Sequence, residues 1–199
     1  MGTISFNPQL TTGFTGGFVL DTAGYIQGTF LDDPANRYSL EGGFVGSGQS
    51  TPLWGGLAVS LAVPGLGADP LGPGIISATS LSSINAWTLF NQAAAGIITP
   101  SSNVPLYSSG MSINFARPGS NLRIVLPINS ADVNALIGAE PNVALYWDPT
   151  NLRLDTSSSS NYGPLPVQLE FLSTSSETVS YSAGIGTWVN GGSVAVVRI

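Results

Sequence analysis

The feature that most constrains this chain is a series of short runs in which apolar residues fall at every second position. They occur at Leu57, Val59, Leu61, Val63; at Met111, Ile113, Phe115; and at Leu122, Ile124, Leu126, Ile128. They recur at Val143, Leu145, Trp147; Leu152, Leu154; Val167, Leu169, Phe171; Val179, Tyr181; and Val194, Val196. A strand turns successive side chains to opposite faces, so each run places its apolar set on one side of a sheet. Turn chemistry separates the runs. Arg117-Pro118-Gly119-Ser120-Asn121 and Asp148-Pro149-Thr150-Asn151 read as hairpin loops, with proline presetting φ. Asn190-Gly191-Gly192 reads as a third hairpin turn, because Asn and Gly tolerate positive φ.

Helix is scarce. Ser130–Gly138 predicts one short helix, with Ser130 as N-cap and Gly138 as the stop. Ile84 to Gly96 is read as a strand followed by a turn, and Ser157–Ser160 as a loop. The expectation is an all-β fold, an antiparallel β-sandwich or barrel (jelly-roll-like) of roughly eight to ten strands. An extended, Gly-rich N-terminal portion precedes the main part. In residues 1–50, Gly13–Phe18 and Glu41–Gly46 mix glycine with aromatics. This portion is either a docking arm, ordered on a partner, or a hairpin of the domain's own sheet. Residues 51–199 form the main β domain. No repeat has a fixed period, and no linker splits the chain.

Composition removes most chemistry. Among 199 residues there is no His and no Cys, and all five basic residues are Arg. That excludes a Ser-His-Asp triad, a cysteine nucleophile, the common zinc, haem and iron–sulfur ligations, a Schiff-base lysine, a P-loop and disulfide bonds. The net charge of -6 and five scattered Arg argue against nucleic acid and against anionic membranes. The N-terminus lacks the basic and apolar regions of a signal peptide and the myristoylation pattern. The stretch Leu53 to Leu66 is too interrupted to span a bilayer. The expected place of synthesis is a cytoplasm.

Only 8% of residues are charged, and none between Pro70 and Ala116. Soluble monomers ordinarily mix charges over their surface. Such a run is either surface that ends against another protein or a neutral, Ser-rich exposed face. The absence of Lys fits interface use, where Arg is enriched and Lys depleted, and fits codon bias equally.

The remaining catalytic option is a carboxylate pair. Asp32-Asp33 precedes Pro34 and reads as a turn neutralised by Arg37, and no other pair clusters. Asp148, Asn151 and Asp155 could offer oxygens to a hard cation, but without EF-hand spacing; polar caps of a hairpin are the simpler reading. Trp54, Trp87, Trp147 and Trp188, with Tyr107, Tyr146 and Tyr162, could line a carbohydrate platform. For Trp147 and Trp188 a core position is favoured. No G-x-S-x-G, G-x-G-x-x-G or N-glycosylation sequon occurs.

Four segments, in order, carry a resemblance to a known family. They are Trp54-Gly55-Gly56-Leu57-Ala58-Val59; Trp87-Thr88-Leu89-Phe90-Asn91-Gln92-Ala93; Val104-Pro105-Leu106-Tyr107 through Gly110-Met111-Ser112-Ile113-Asn114-Phe115; and Pro118-Gly119-Ser120-Asn121-Leu122-Arg123-Ile124. Together they resemble tailed-phage capsid cement (decoration) proteins over roughly residues 54 to 128. The resemblance implies a non-enzymatic virion structural protein without cofactor or metal. It implies a place on the outer capsid surface, bridging major capsid protein subunits and stabilising the expanded head. The implied partners are the major capsid protein and further copies of itself as dimer or trimer, with no nucleic acid and no membrane. Phe6, Phe14, Phe18 and Tyr25 are the candidate apolar contacts, with Arg37 and Arg117 as polar anchors. Two other classes remain: a carbohydrate-binding or adhesin-type β-sandwich module, and a glycan-active enzyme using two carboxylates.

Overall fold

The computed structural model describes residues 24–31, 39–63, 72–90, 104–158 and 163–199. Phe6, Phe14, Phe18, Arg37, the Asp32-Asp33 turn, Gly13–Phe18 and Tyr162 lie outside the described residues. Strands dominate, as the alternation requires. In chain order they are β1 (Glu41–Val45), β2 (Ala58–Ala62), β3 (Gly74–Ser77), β4 (Ala86–Thr88) and β5 (Ser112–Ala116). Then come β6 (Arg123–Pro127), helix α1 (Val133–Leu136), β7 (Tyr146–Asp148), β8 (Arg153–Asp155), β9 (Gln168–Ser182) and β10 (Ile185–Arg198).

The first five strands close into a barrel in the order β1-β3-β2-β4-β5, with β5 returning to β1. Four of its pairings are antiparallel, but β1 and β3 run parallel. This departs from a purely antiparallel arrangement. Register places Val59, Leu61, Ile75, Ile113 and Phe115 on the inner face, and four of these five are fully buried. Gly43 is needed where the parallel strands meet: a Cβ there would lie 2.6 Å from the Pro73 carbonyl oxygen. Thr88, also buried, donates its hydroxyl to the Trp54 carbonyl oxygen at 2.6 Å and accepts from the Leu57 N–H at 2.9 Å. A hydroxyl with both roles filled can be buried without the usual penalty.

The second half is an open sheet, β6-β10-β9, with the β7–β8 hairpin leaning on the end of β6 through an Ile128–Leu154 bridge. The halves share one core. Trp87, on the outer face of the barrel, meets Trp147 of β7 edge to face at 5.4 Å, and both are fully buried. A smaller cluster, Val125, Val194 and Val196, covers the other face of the sheet and is closed by Tyr25 and Leu31.

Of the three expected hairpin turns, one keeps that role and two do not. The Asp148–Asn151 turn does join a hairpin, β7 to β8. Arg117–Asn121 does not: β5 pairs in the barrel and β6 in the open sheet, so this turn carries the chain from one to the other. Asn190-Gly191-Gly192 lies inside β10 as a bulge, with register shifts on both sides of Gly192. Gly191 has φ +77°, and a Cβ on Gly192 would fall 2.3 Å from the Thr178 hydroxyl. The true β9–β10 turn is Ala183-Gly184, with φ +51° and +86° between the paired Ser182 and Ile185. Positive φ at both central residues matches strand twist, and an Ala in that conformation is unusual enough to escape a sequence reading.

Two apolar residues fall out of phase. Val63, beyond the end of β2, is 93% exposed. Phe171 is 54% exposed, because a register shift between Val196 and Val197 pairs Val197 with Leu169 but Val196 with Phe171. One extra residue, Glu170, flips the alternation. The helix is shorter than expected, starting after Asp132 rather than Ser130, while Gly138 ends the segment with φ +82°. The 84–96 segment yields β4, and its residues from 91 lie outside the described residues, as do 159 and 160 of the Ser-rich loop. Within residues 1–50, Glu41–Val45 is a barrel strand, and residues 28–31 run along the outer edge of β6 through Gly28, Thr29 and Leu31 backbone bonds.

Candidate functional site

Charge is partitioned between the two halves. Between Gly42 and Ala116 the only charged residue is Asp69, so β2 to β5 carry none and β1 carries only Glu41. Glu41 is paired with Arg117 at 2.7 Å, and that guanidinium sits 5.7 Å from the centre of the Phe115 ring. Apart from this pair, the exposed groups of the barrel strands are hydroxyls, amides, backbone and apolar side chains such as Ile76, with Val63 exposed just beyond β2.

The sheet half is charged. Arg123, Arg198 and Glu170 form an ion cluster: Arg198 Nη2 lies 2.6 Å from Glu170 Oε1, and Arg123 Nη1 lies 3.7 Å from Oε2. Asp148 and Asp155 flank Arg153 on the β7–β8 hairpin. Partial burial tends to raise the Asp148 pKa, but it is outweighed. The Asn151 amide and backbone, the Thr150 N–H and the nearby Arg153 charge hold the carboxyl below its ordinary value. Asp155 is held low in the same sense: burial opposes, while Ser157, Asn129 and Arg153 prevail. Asp148 caps its own turn with Asn151, as the polar-cap reading expects, while Asp155, at the far end of the hairpin, accepts from the Ser157 N–H and the Asn129 amide instead. No three acidic residues gather as a metal-binding group among the described residues.

The two described candidate contacts belong to different parts of the molecule. Tyr25 is half-buried and packs on the Val125–Val194–Val196 cluster. Its backbone joins β9, donating to Ser176 Oγ and accepting from the Glu177 N–H. Arg117 stands at the barrel's end, half exposed and tied to Glu41. The Trp residues are core rather than platform. Trp54, Trp87 and Trp147 are buried, and Trp188 packs on the core with its ring edge-on to Phe90 at 5.4 Å. Tyr107 is buried as well, and burial raises the pKa of its phenol.

Sequence reasoning missed a cleft of about 540 Å³ where the two halves meet. The tip of the β7–β8 hairpin, with Asn151 and Arg153, forms one wall. The β9–β10 hairpin at Thr178, Ser180, Tyr181 and the Gly191–Gly192 bulge forms the other, with Gln27 and Trp54 also lining it. The Tyr181 and Trp54 rings pack at 5.2 Å. Gln27, 2% exposed, donates from Nε2 to the Gly55 carbonyl oxygen and accepts from the Val179 N–H. Two buried donors in this lining have no acceptor, Trp54 Nε1 and Arg153 Nε. An unmade bond of this kind costs about 1–3 kcal/mol. The cleft depends on the bulge, whose signal in the sequence, Asn-Gly-Gly, reads equally as a turn.

No helix among the described residues is long and apolar enough to cross a membrane. No family model, no curated protein and no solved structure matches this chain.

Proposed function

We propose that this chain is a structural protein of a tailed-phage particle, seated on the outer surface of the capsid. There it bridges major capsid protein subunits and stabilises the expanded head. The observation that carries this reading is the ion-poor barrel, whose five strands carry a single charged residue, Glu41, itself paired with Arg117. A closed surface of hydroxyls, amides and isolated apolar groups can be covered by a protein partner without stripping water from ions, the costly step in burying a polar surface. The absence of His, Cys and Lys from the chain and the scarcity of charge fit a protein that binds rather than reacts. The resemblance of residues 54 to 128 to cement proteins points the same way, and three of its four segments include residues of barrel strands.

The mechanism is linkage. A protein that binds the expanded lattice and not its precursor stabilises the expanded state, by about 2.7 kcal/mol per site at a hundredfold excess over Kd. Contacts to two or three subunits raise the effective concentration of each further contact. Self-association as a dimer or trimer at a symmetry axis would complete the arrangement. Neither nucleic acid nor membrane is a partner in this reading.

The test is co-sedimentation with expanded, undecorated heads from the same source. Saturable binding is expected. Val63→Glu together with Ile76→Glu, which place charge on the barrel, should weaken binding at least tenfold. Ile137→Glu, beside α1 in the charged half, should leave it unchanged. Absence of saturable binding, or equal loss from both changes, would sink the proposal.

A further inference from the structure

We propose that the cleft between the β7–β8 and β9–β10 hairpins binds a carboxylate-bearing sugar, through the Arg153 guanidinium and the Tyr181 ring, which the buried Trp54 supports from behind. This site is separate from the ion-poor barrel strands and does not rest on the capsid reading.

Arg153 lies between two carboxylates and acts on both through its charge, yet forms no ion pair within 4 Å among the described residues, while Asp148 and Asp155 accept hydrogen bonds from Thr150, Asn151 and Ser157. Its Nε is buried without an acceptor. The guanidinium presents donors in a planar fork whose geometry matches a carboxylate. Every other described Arg is ion-paired: Arg117 to Glu41, and Arg123 and Arg198 to Glu170. Arg153 is therefore the cation in this half that a ligand anion can claim.

The opposite wall sets the rest of the ligand. The Tyr181 ring, half-buried and packed on Trp54, offers an apolar face to the C–H side of a sugar ring, and Trp54 is more than nine-tenths buried with its Nε1 lacking an acceptor. Asn151, Thr178 and Ser180 supply the amide and hydroxyl groups that pair with sugar hydroxyls. A volume of about 540 Å³ lies within the range of small-molecule sites and exceeds what a simple carboxylate needs. Asp148 and Asp155 stay ionised near Arg153, but neither lines the cleft, where Arg153 is the charged side chain a ligand would meet.

The experiment titrates the full chain with glucuronic acid, followed by Trp fluorescence and by saturation-transfer NMR of the sugar. Glucuronamide, which keeps the ring and loses the charge, and acetate, which keeps the charge and loses the ring, are the comparison probes. Saturable binding of glucuronic acid at least tenfold tighter than either probe is expected. Arg153→Gln and Tyr181→Ala should each reduce it at least tenfold, with Ile137→Glu as an unaffected control. If Arg153→Gln fails to fold, the acid against the amide on the unaltered chain decides the same point. Equal binding of acid and amide, equal binding of acid and acetate, no binding of glucuronic acid, or full binding by a folded Arg153→Gln variant would each overturn the assignment.

Discussion

The barrel and the open sheet solve the same problem differently. A strand with an unpaired edge invites pairing with other chains, and proteins guard such edges with charge, bulges or cover. The barrel has no edge, since β5 closes onto β1, and its strands carry one charge alone, Glu41. The open sheet has two. The outer edge of β6 is covered by residues 28–31, and Glu177 of β9 is bonded to Tyr25 and Gln27. The same sheet carries the bulges and the Arg123–Glu170–Arg198 cluster. The lesson is that neutrality here follows from closure. A barrel that needs no protective charge is free to offer an ion-poor surface to a partner.

The comparison breaks if the halves are independent folding units. Their junction is the Trp87–Trp147 contact. Trp87→Ala should cost about 3–5 kcal/mol, as expected for a large aromatic lost from a packed core. Because one core spans both halves, urea unfolding followed by Trp fluorescence and by far-UV circular dichroism should give one coincident transition in the unaltered chain. Two separated transitions, or a Trp87→Ala variant that loses the barrel's signal alone, would show that the division is physical and not only electrostatic.

A smaller effect is expected at Gln27. Its amide bridges Gly55 of the barrel region and Val179 of β9 while buried. Replacing it with Leu keeps the bulk and strands a carbonyl and an N–H, so a loss of about 1–3 kcal/mol is expected in the same denaturation experiment. A neutral substitution would mean that water reaches these groups and that the two halves meet less tightly than the packing of Gly28 on Gly55 requires.

How much of this was legible depends on whether a residue's role is set locally. The alternations at 111–115 and 122–128 fall on the buried faces of β5 and β6, because period-2 patterning is a local consequence of the pleat, whereas in the 143–147 run Trp147 alone lies on a strand and the buried Leu145 precedes it. The Asp148 turn was legible for the same reason: its hydrogen bonds lie within three residues. Pairing was not. Arg117–Asn121 has the composition of a hairpin turn, yet the strands it joins lie in different sheets. Asn190–Gly192 has a stronger hairpin signature than Ala183-Gly184, yet the 15-residue β9 and 14-residue β10 override it through their combined register. The Phe171 phase flip comes from one bulged residue opposite a distant strand. The cleft depends on two hairpins meeting, so Arg153 and Tyr181, 28 positions apart, gave no local sign of a shared site.

The mildest effect is expected in the charged half alone, where the carboxylates are committed to structure. Asp148 accepts from the Thr150 and Asn151 N–H groups and from the Asn151 amide, and its pKa is held below the ordinary value, as is that of Asp155. A lowered folded-state pKa means that the unfolded chain binds protons more readily in the acid range. The stabilisation is therefore fully present above the unfolded value, about pH 4, and is lost as pH falls through the lower folded value. Asp148→Ala should cost about 1 kcal/mol near neutrality, since the bonds are exposed and screened. That difference should shrink as pH falls below about 4, because the unaltered chain then loses the same bonds. Asp155 remains in the variant, so part of the acid slope should persist. A difference between unaltered and Asp148→Ala chains that stays constant from pH 7 to pH 2 would show that the turn holds without its carboxylate's charge, and the contrast between a charge-dependent half and a charge-independent one would lose its clearest instance.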